Sequence, residues 1–204
     1  YGQHDALDAL LGWIEEELDP DSAPTSVSPV SIPDSTYGKP VGRKRKIDKV
    51  VGSLSGEPSI TLVTGPGGIG KTEVCREALR RLRDEGRHVV YAVTVGASTA
   101  WAQCGAVAEA LGVPRMEQRE GVRAADYVRY LTDRLADLER PVVYLDNWED
   151  AWVASDEEGR RELVGLLRAL RDGGSSVLAS SREAAADYET GARIIRVHKL
   201  GKNP

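Results

Sequence analysis

Cysteine, histidine and long apolar runs are all scarce in this chain of 204 residues. The two cysteines, Cys75 and Cys104, each fall within a predicted helix, so we expect reduced, buried thiols rather than a structural disulfide. The three histidines stand far apart and show no metal-ligand spacing. A zinc site held by protein side chains is therefore not supported by the sequence.

No apolar stretch approaches the roughly 18 residues needed to cross a bilayer, and no basic segment followed by an apolar one suggests a leader. We therefore expect no membrane association and a cytoplasmic location. The chain begins at Tyr1 rather than at Met, and we expect it to be a piece or a processed product of a longer protein.

The charge balance is acidic, with a formal net charge of −5. This balance argues against direct nucleic-acid binding by the domain itself. A basic run from Arg43 to Lys46 stands out locally. We interpret it as a solvated face in the first turn of a helix, and the alternative is a localisation or phosphate-contact patch.

The most informative segment is the octapeptide GPGGIGKT at residues 65–72, which follows an apolar run and opens a helix-like segment. Glycines in such a loop let successive N–H groups point at phosphate oxygens, and the helix that follows adds its positive end. Lys71 is expected to reach the β- and γ-phosphates, while the Thr72 hydroxyl binds Mg²⁺. The segment predicts ATP or ADP binding through Gly65, Gly67, Gly68, Ile69, Gly70, Lys71, Thr72 and Glu73.

A second motif lies about 70 residues further on, where the apolar run 142–145 ends at the carboxylate of Asp146. At the carboxyl edge of a parallel sheet this carboxylate would hold Mg²⁺ opposite Thr72. The alternative is that Asp146 serves only as a turn or helix-cap residue. Many hydrolytic P-loop proteins carry a second acid at the next position, but here it is Asn147, so we expect slow hydrolysis. Glu149 is the candidate catalytic base, or else a solvated acid.

Three further side chains flank this edge. Arg182 follows the fourth predicted strand, and its planar, permanently charged fork suits a γ-phosphate, although it is alternatively a surface arginine at a helix start. Trp148 and Trp152 are expected to cover the sheet edge or a partner surface rather than to stack on adenine.

Short apolar runs alternate with helix-period segments, which is typical of an α/β fold with a parallel sheet covered on both faces. The predicted strands are 60–64, 89–94, 142–145, 176–179 and 194–197, and two helical segments separate the second strand from the third. Residues 1–18 predict an acidic amphipathic helix, which we interpret as the end of an upstream effector, and the alternative is a small packing element. Residues 19–38 predict a Pro/Ser-rich linker, and residues 39–204 the nucleotide-binding domain.

The ordered motifs at 41–43, 65–72, 145–149 and 180–182 together resemble the nucleotide-binding core of the STAND class of signal-transduction ATPases, which includes the NB-ARC regulators. The resemblance implies a P-loop NTPase three-layer sandwich with a five-stranded, mostly parallel sheet in the AAA-like strand order. It implies that Val41 and Arg43 lie over the adenine and ribose, and that Arg182 occupies the sensor position. Lys46 departs from the glutamate that the family often carries there, which weakens the adenine-side assignment.

The resemblance also implies a function: ADP holds a closed monomer, and exchange for ATP favours opening and self-association that controls an effector. Fused or separate effector and sensor domains are expected, with a winged-helix segment beginning after about Leu200. The alternative is an active ATP-hydrolysing or phosphotransfer enzyme of the AAA or kinase type. A GTPase is disfavoured because no Asn-Lys-x-Asp-type guanine reader occurs.

Overall fold

A computed structural model describes residues 32–34, 40–182 and 191–199. The predicted helix 1–18 and nearly all of the predicted linker 19–38 lie outside these ranges, and so does the region after residue 199. Those three assignments therefore stay predictions.

Five parallel strands form a single sheet in the spatial order β2-β3-β4-β1-β5. The P-loop strand β1 pairs with β4 and β5, and β3 pairs with β2 and β4. The strand β4 thus separates β1 from β3, as the AAA-like order requires. The prediction of five strands is confirmed, and the sheet proves wholly parallel. The strands are β1 (Ile60–Thr64), β2 (Val89–Val93), β3 (Val142–Asp146), β4 (Ser176–Ser181) and β5 (Arg193–Arg196).

The strands form where short apolar runs become buried on both faces. Every residue of β1, β3 and β4 is buried, whereas β5 lies at the sheet edge and is mostly exposed. The strand β4 continues past its apolar part because Ser180 and Ser181 still pair with Val63 and Thr64 of β1. Polar hydroxyls are therefore carried to the carboxyl edge of the sheet within a regular strand.

Helices connect the strands, and the predicted pair of helices between β2 and β3 is confirmed as α3 and α4. The described helices are α1 (Lys44–Leu54), α2 (Lys71–Asp84), α3 (Ala100–Leu111), α4 (Ala124–Ala136), α5 (Glu149–Ala154) and α6 (Glu157–Asp172). None of them is long and apolar enough to cross a membrane.

Two hydrophobic cores lie on opposite faces of the sheet, as a three-layer sandwich requires. One packs α1 and α2 against residues such as Val63 and Leu178. The other packs α3, α4 and α6 against residues such as Leu62 and Val143. Cys75 and Cys104 are both buried and unpaired, one in each core, which confirms the prediction of reduced thiols.

Candidate nucleotide-binding site

The glycine-rich loop joins β1 to α2 through backbone that other residues rarely adopt. Gly65, Gly68 and Gly70 have φ angles of +152°, +69° and +90°. A Cβ at Gly65 would lie only 2.4 Å from the carbonyl oxygen of Val197, which follows β5. Gly70 is the N-cap of α2, so the loop delivers the first N–H groups of that helix to the carboxyl edge of the sheet.

Lys71 is the first residue of α2, and its ammonium group lies over the loop. The Nζ donates to the carbonyl oxygens of Gly65 at 2.9 Å and Pro66 at 3.2 Å. The residue is only 7% exposed. Burial lowers the pKa of Lys71, while the nearby Glu149 carboxylate acts in the opposite direction. The position suits an ammonium group that binds phosphate oxygens.

The predicted metal-binding pair meets directly: Thr72 Oγ1 donates to Asp146 Oδ1 at 3.1 Å. A hydroxyl and a carboxylate are the hard oxygen donors that Mg²⁺ takes when it is bound mainly by substrate phosphates and water. Among the described residues no cluster of three or more His, Cys, Asp or Glu side chains is present. The donor set therefore fits Mg²⁺ held together with a nucleotide, with Thr72 and Asp146 as the protein ligands.

Asp146 is surrounded by hydroxyl groups that the sequence interpretation missed. Its Oδ1 also accepts hydrogen bonds from Tyr144 and Ser180, each at 2.8 Å, and its Oδ2 accepts one from Tyr91 at 3.3 Å. Its backbone carbonyl accepts from the Thr94 hydroxyl. A sequence signal existed for Tyr144, because residues two apart on a strand share a face. None existed for Tyr91, which the strand pairing brings to the site.

Glu149, the candidate base, and Arg182, the candidate γ-phosphate sensor, form an ion pair, with Glu149 Oε1 and Arg182 Nε 3.1 Å apart. The Glu149 side chain is 4% exposed and the Arg182 side chain 62%. The contact lacks hydrogen-bond geometry, and within the described part of the chain neither Glu149 side-chain oxygen has a hydrogen-bond partner. Burial raises the pKa of Glu149, and the charges of Lys71 and Arg182 oppose that rise. The guanidinium also lies beside the loop, since a Cβ at Gly67 would be 3.9 Å from its Nε.

The turn from β3 into α5 places the Glu149 side chain in the protein interior. Asn147 adopts φ +61°, and its N–H donates to Ser180 Oγ at 3.0 Å. The chain then continues into Trp148, which is fully buried, and Trp152, which is 6% exposed, with ring centroids 5.3 Å apart. Both rings belong to the core under α6. Their burial agrees with the prediction that they cover the sheet and contradicts the partner-surface alternative.

On the predicted adenine side, Arg43 is bound to the protein itself. Its guanidinium donates to the carbonyl oxygens of His198 and, at 3.0 Å, of Ile69. It therefore connects the loop to the segment after β5. Val41 is 84% exposed and so is accessible to a ligand. Glu73 forms an ion pair with Arg76, one turn further along α2, with Oε1 and Nη1 3.0 Å apart. The nucleotide-contact roles of these residues stay predictions.

Comparison with known proteins bears on this site. A family model described as AAA domain matches residues 54–184, a range that includes the loop, Asp146 and Arg182. No curated protein matches the chain.

Solved structures show the same fold. The chain resembles the Aeropyrum pernix ORC1 protein in complex with DNA, with a TM-score of 0.65 and 20% identity over 86% of this chain and 49% of that one. It resembles the Aeropyrum pernix ORC2 protein in ADPNP-ADP complexes, with a TM-score of 0.64 and 19% identity over 81% and 50% of the two chains. For Cdc6p from Pyrobaculum aerophilum the TM-score is 0.57, with 19% identity over 84% and 48%.

The chain thus spans about half the length of these proteins. The matched family range covers most of the described residues and contains both phosphate-site motifs. The chain belongs to the AAA domain family and is a P-loop ATPase domain.

Proposed function

We propose that this domain is an ATP/ADP switch of the STAND type, which binds adenine nucleotide with Mg²⁺, hydrolyses ATP slowly and controls self-association of its parent protein. The observation that carries the proposal is the ion pair between Arg182 and Glu149 beside the phosphate loop. In the parent, fused or separate effector and sensor domains would respond to the state of this pair. A cytoplasmic location is part of the proposal.

The Arg182–Glu149 ion pair can respond differently to ATP and to ADP. Arg182 is permanently charged and mostly exposed, so a γ-phosphate entering over Gly67 can compete with Glu149 for the guanidinium. Loss of that partner would leave Glu149 as a buried carboxylate without hydrogen bonds, which is unfavourable. ATP would therefore favour rearrangement around α5, whereas ADP would leave the pair intact. A ligand shifts a conformational equilibrium only through such a differential contact.

Slow hydrolysis is supported by the same region. Asn147 stands beside Asp146, and an amide cannot take a proton from water. Glu149 is the nearest alternative base, but it is paired with Arg182, and burial favours its protonated form. A base that is held in an ion pair activates water poorly. The domain would then remain in the ATP state long enough to signal.

Calorimetric titration tests the sensor role of Arg182. Arg182→Ala should weaken ATP binding by about tenfold, the size of a charged hydrogen bond, and leave ADP affinity unchanged. Arg129→Ala, an exposed arginine on α4, is the matched control and should change neither affinity. Combining Arg182→Ala with Glu149→Gln separates loss of the phosphate contact from the cost of an unpaired Glu149. Equal losses for ATP and ADP would contradict the proposal.

Turnover separates the switch from the alternative of an active ATP-hydrolysing or phosphotransfer enzyme. A switch should release phosphate well below about one per second, and sustained release above that rate would favour the enzyme. Self-association should be measured by light scattering on the full parent protein. Larger particles with ATP than with ADP are expected.

Nucleic-acid binding is the second candidate. We infer that the chain as a whole does not bind nucleic acid directly, because its formal net charge is −5. All of the acidic excess lies in residues 1–38, and residues 39–204 alone carry a formal net charge of +3. Against this inference stand the DNA in one similar solved structure and the basic residues 43–46 at the start of α1. Fluorescence anisotropy with labelled duplex DNA at two salt concentrations decides the point. Binding at about micromolar concentration that weakens steeply with salt would favour this second candidate.

A further inference from the structure

We propose that Tyr91, held by Arg76, is a positioning residue that orients the Asp146 carboxylate for Mg²⁺. The inference rests on the proposed nucleotide function, and it concerns two residues that lie outside the phosphate loop and the aspartate motif. Neither was predicted to act at the site.

The direction of each hydrogen bond follows from the chemistry of the groups. Arg76 Nε lies 3.0 Å from the Tyr91 hydroxyl. A guanidinium has no acceptor, so it donates and the phenol oxygen accepts. The phenol proton is then directed to its other neighbour, Asp146 Oδ2, at 3.3 Å. Arg76 is held in turn by Glu73 at 3.0 Å, so a connected series of polar groups leads from α2 to the aspartate.

The two oxygens of Asp146 differ in how many donors they accept. Oδ1 accepts from Thr72, Tyr144 and Ser180. Among the described residues, Oδ2 accepts only from Tyr91. Oδ1 is therefore saturated, and Oδ2 retains lone-pair capacity for a metal ion or a metal-bound water. The hydrogen bond from Tyr91 therefore determines the orientation of Asp146 Oδ2.

The sheet places the Tyr91 ring firmly. Tyr91 is 2% exposed, lies on β2 directly opposite Tyr144 of β3, and packs against that ring with centroids 5.0 Å apart. Strand pairing sets the position of the hydroxyl, and Arg76 sets the direction of its proton. Outer partners that orient a metal ligand in this way are typically worth 10–100-fold in metal affinity.

The test compares ATP affinity with Mg²⁺ and with EDTA by calorimetry, so that its readout is binding rather than activity. Tyr91→Phe removes only the hydroxyl and should reduce the gain in affinity given by Mg²⁺ by about tenfold. Affinity in EDTA should stay within about twofold of wild type. Arg76→Gln should act in the same direction, because it removes the group that directs the Tyr91 proton.

Two matched tyrosine-to-phenylalanine variants complete the design. Tyr144→Phe removes a donor from the saturated oxygen and should have a smaller effect than Tyr91→Phe. Tyr130→Phe, on α4 and distant from the site, should have none. Melting temperatures show that each variant is folded at the titration temperature.

The outcomes separate this inference from the proposed function. Absence of any nucleotide binding by the wild-type domain would reject the proposed function itself. If the wild type shows a Mg²⁺-dependent gain and Tyr91→Phe retains it within twofold, the inference is overturned while the function stands. Equal weakening of Tyr91→Phe in Mg²⁺ and EDTA would also overturn it, because the tyrosine would then act on the fold alone.

Discussion

Thr72 and Asp146 are hydrogen-bonded at 3.1 Å although they are 74 positions apart in the chain. Thr72 lies in the first turn of α2, which follows β1, and Asp146 ends β3; these two strands are not neighbours, because β4 lies between them. Ser180 of β4 completes the connection by donating to the same carboxylate oxygen. The proposed metal-binding pair is therefore assembled across three strands, and the two side chains are already oriented toward each other.

Asp146→Ala should remove both a metal ligand and the acceptor for buried hydroxyls. Without it, Tyr144 and Ser180 lose their shared partner, which should reduce the free energy of unfolding by roughly 2 kcal/mol or more. ATP affinity in Mg²⁺ should decrease, while ADP affinity in EDTA should not. Denaturant unfolding and calorimetry check the two effects. An equal loss for ADP in EDTA would contradict the metal role.

Lys71→Ala should weaken nucleotide binding by about a hundredfold without unfolding the sheet. Among the described residues the ammonium donates to two loop carbonyls only, so the fold loses little, whereas phosphate oxygens lose a charged donor. Calorimetric titration with ATP and ADP measures the effect, and circular dichroism verifies the fold. Lys49→Ala, an exposed lysine on α1, is the matched control. Wild-type affinity in Lys71→Ala would exclude the assigned role.

Gly65→Ala should destabilise the domain by about 2 kcal/mol or more, because the backbone is strained for any L side chain and the new Cβ would collide with Val197 O. Gly52→Ala is its control. Gly52 lies inside α1 with no atom within 4 Å of an added Cβ, so alanine should stabilise there by about 0.5–1 kcal/mol. Urea unfolding measures both changes. Similar changes for the two variants would refute the close approach at Gly65.

Glu149→Gln should raise the melting temperature at pH 7. Burial raises the pKa of Glu149, so the folded state disfavours the charged form. The folded domain then binds more protons than the unfolded chain, and stability falls as pH rises from the ordinary glutamate pKa, about 4.3, through the raised value. Glutamine does not ionise, so Glu149→Gln removes this decrease in stability. The difference in melting temperature from wild type should therefore shrink toward pH 4.

Glu139→Gln, at an exposed glutamate before β3, is the control for Glu149→Gln and should show no such pH dependence. A difference between Glu149→Gln and wild type that stays constant from pH 4 to pH 8 would argue against the raised pKa.

Local patterns were enough to predict the elements and the order of the motifs. The glycine-rich loop, the apolar strands and Asp146 at the end of β3 could all be recognised because each depends on residues close together in the chain. The choice between sheet and partner surface for Trp148 and Trp152 could not be predicted, since it depends on the turn at Asn147, where a non-glycine residue adopts a positive φ. Asparagine is among the non-glycine residues that adopt a positive φ most readily, but residue type alone does not show that Asn147 does so.

The sequence by itself determined the phosphate loop, the five strands and the reduced thiols, because glycine conformation and apolar periodicity act over a few residues. Only the tertiary structure decided that Tyr91 and Arg76 reach Asp146, that Arg182 pairs with Glu149, and that Arg43 connects the loop to the segment after β5. These contacts join residues far apart in the chain. They exist because the β2-β3-β4-β1-β5 order and the strand register bring those residues to one edge of the sheet.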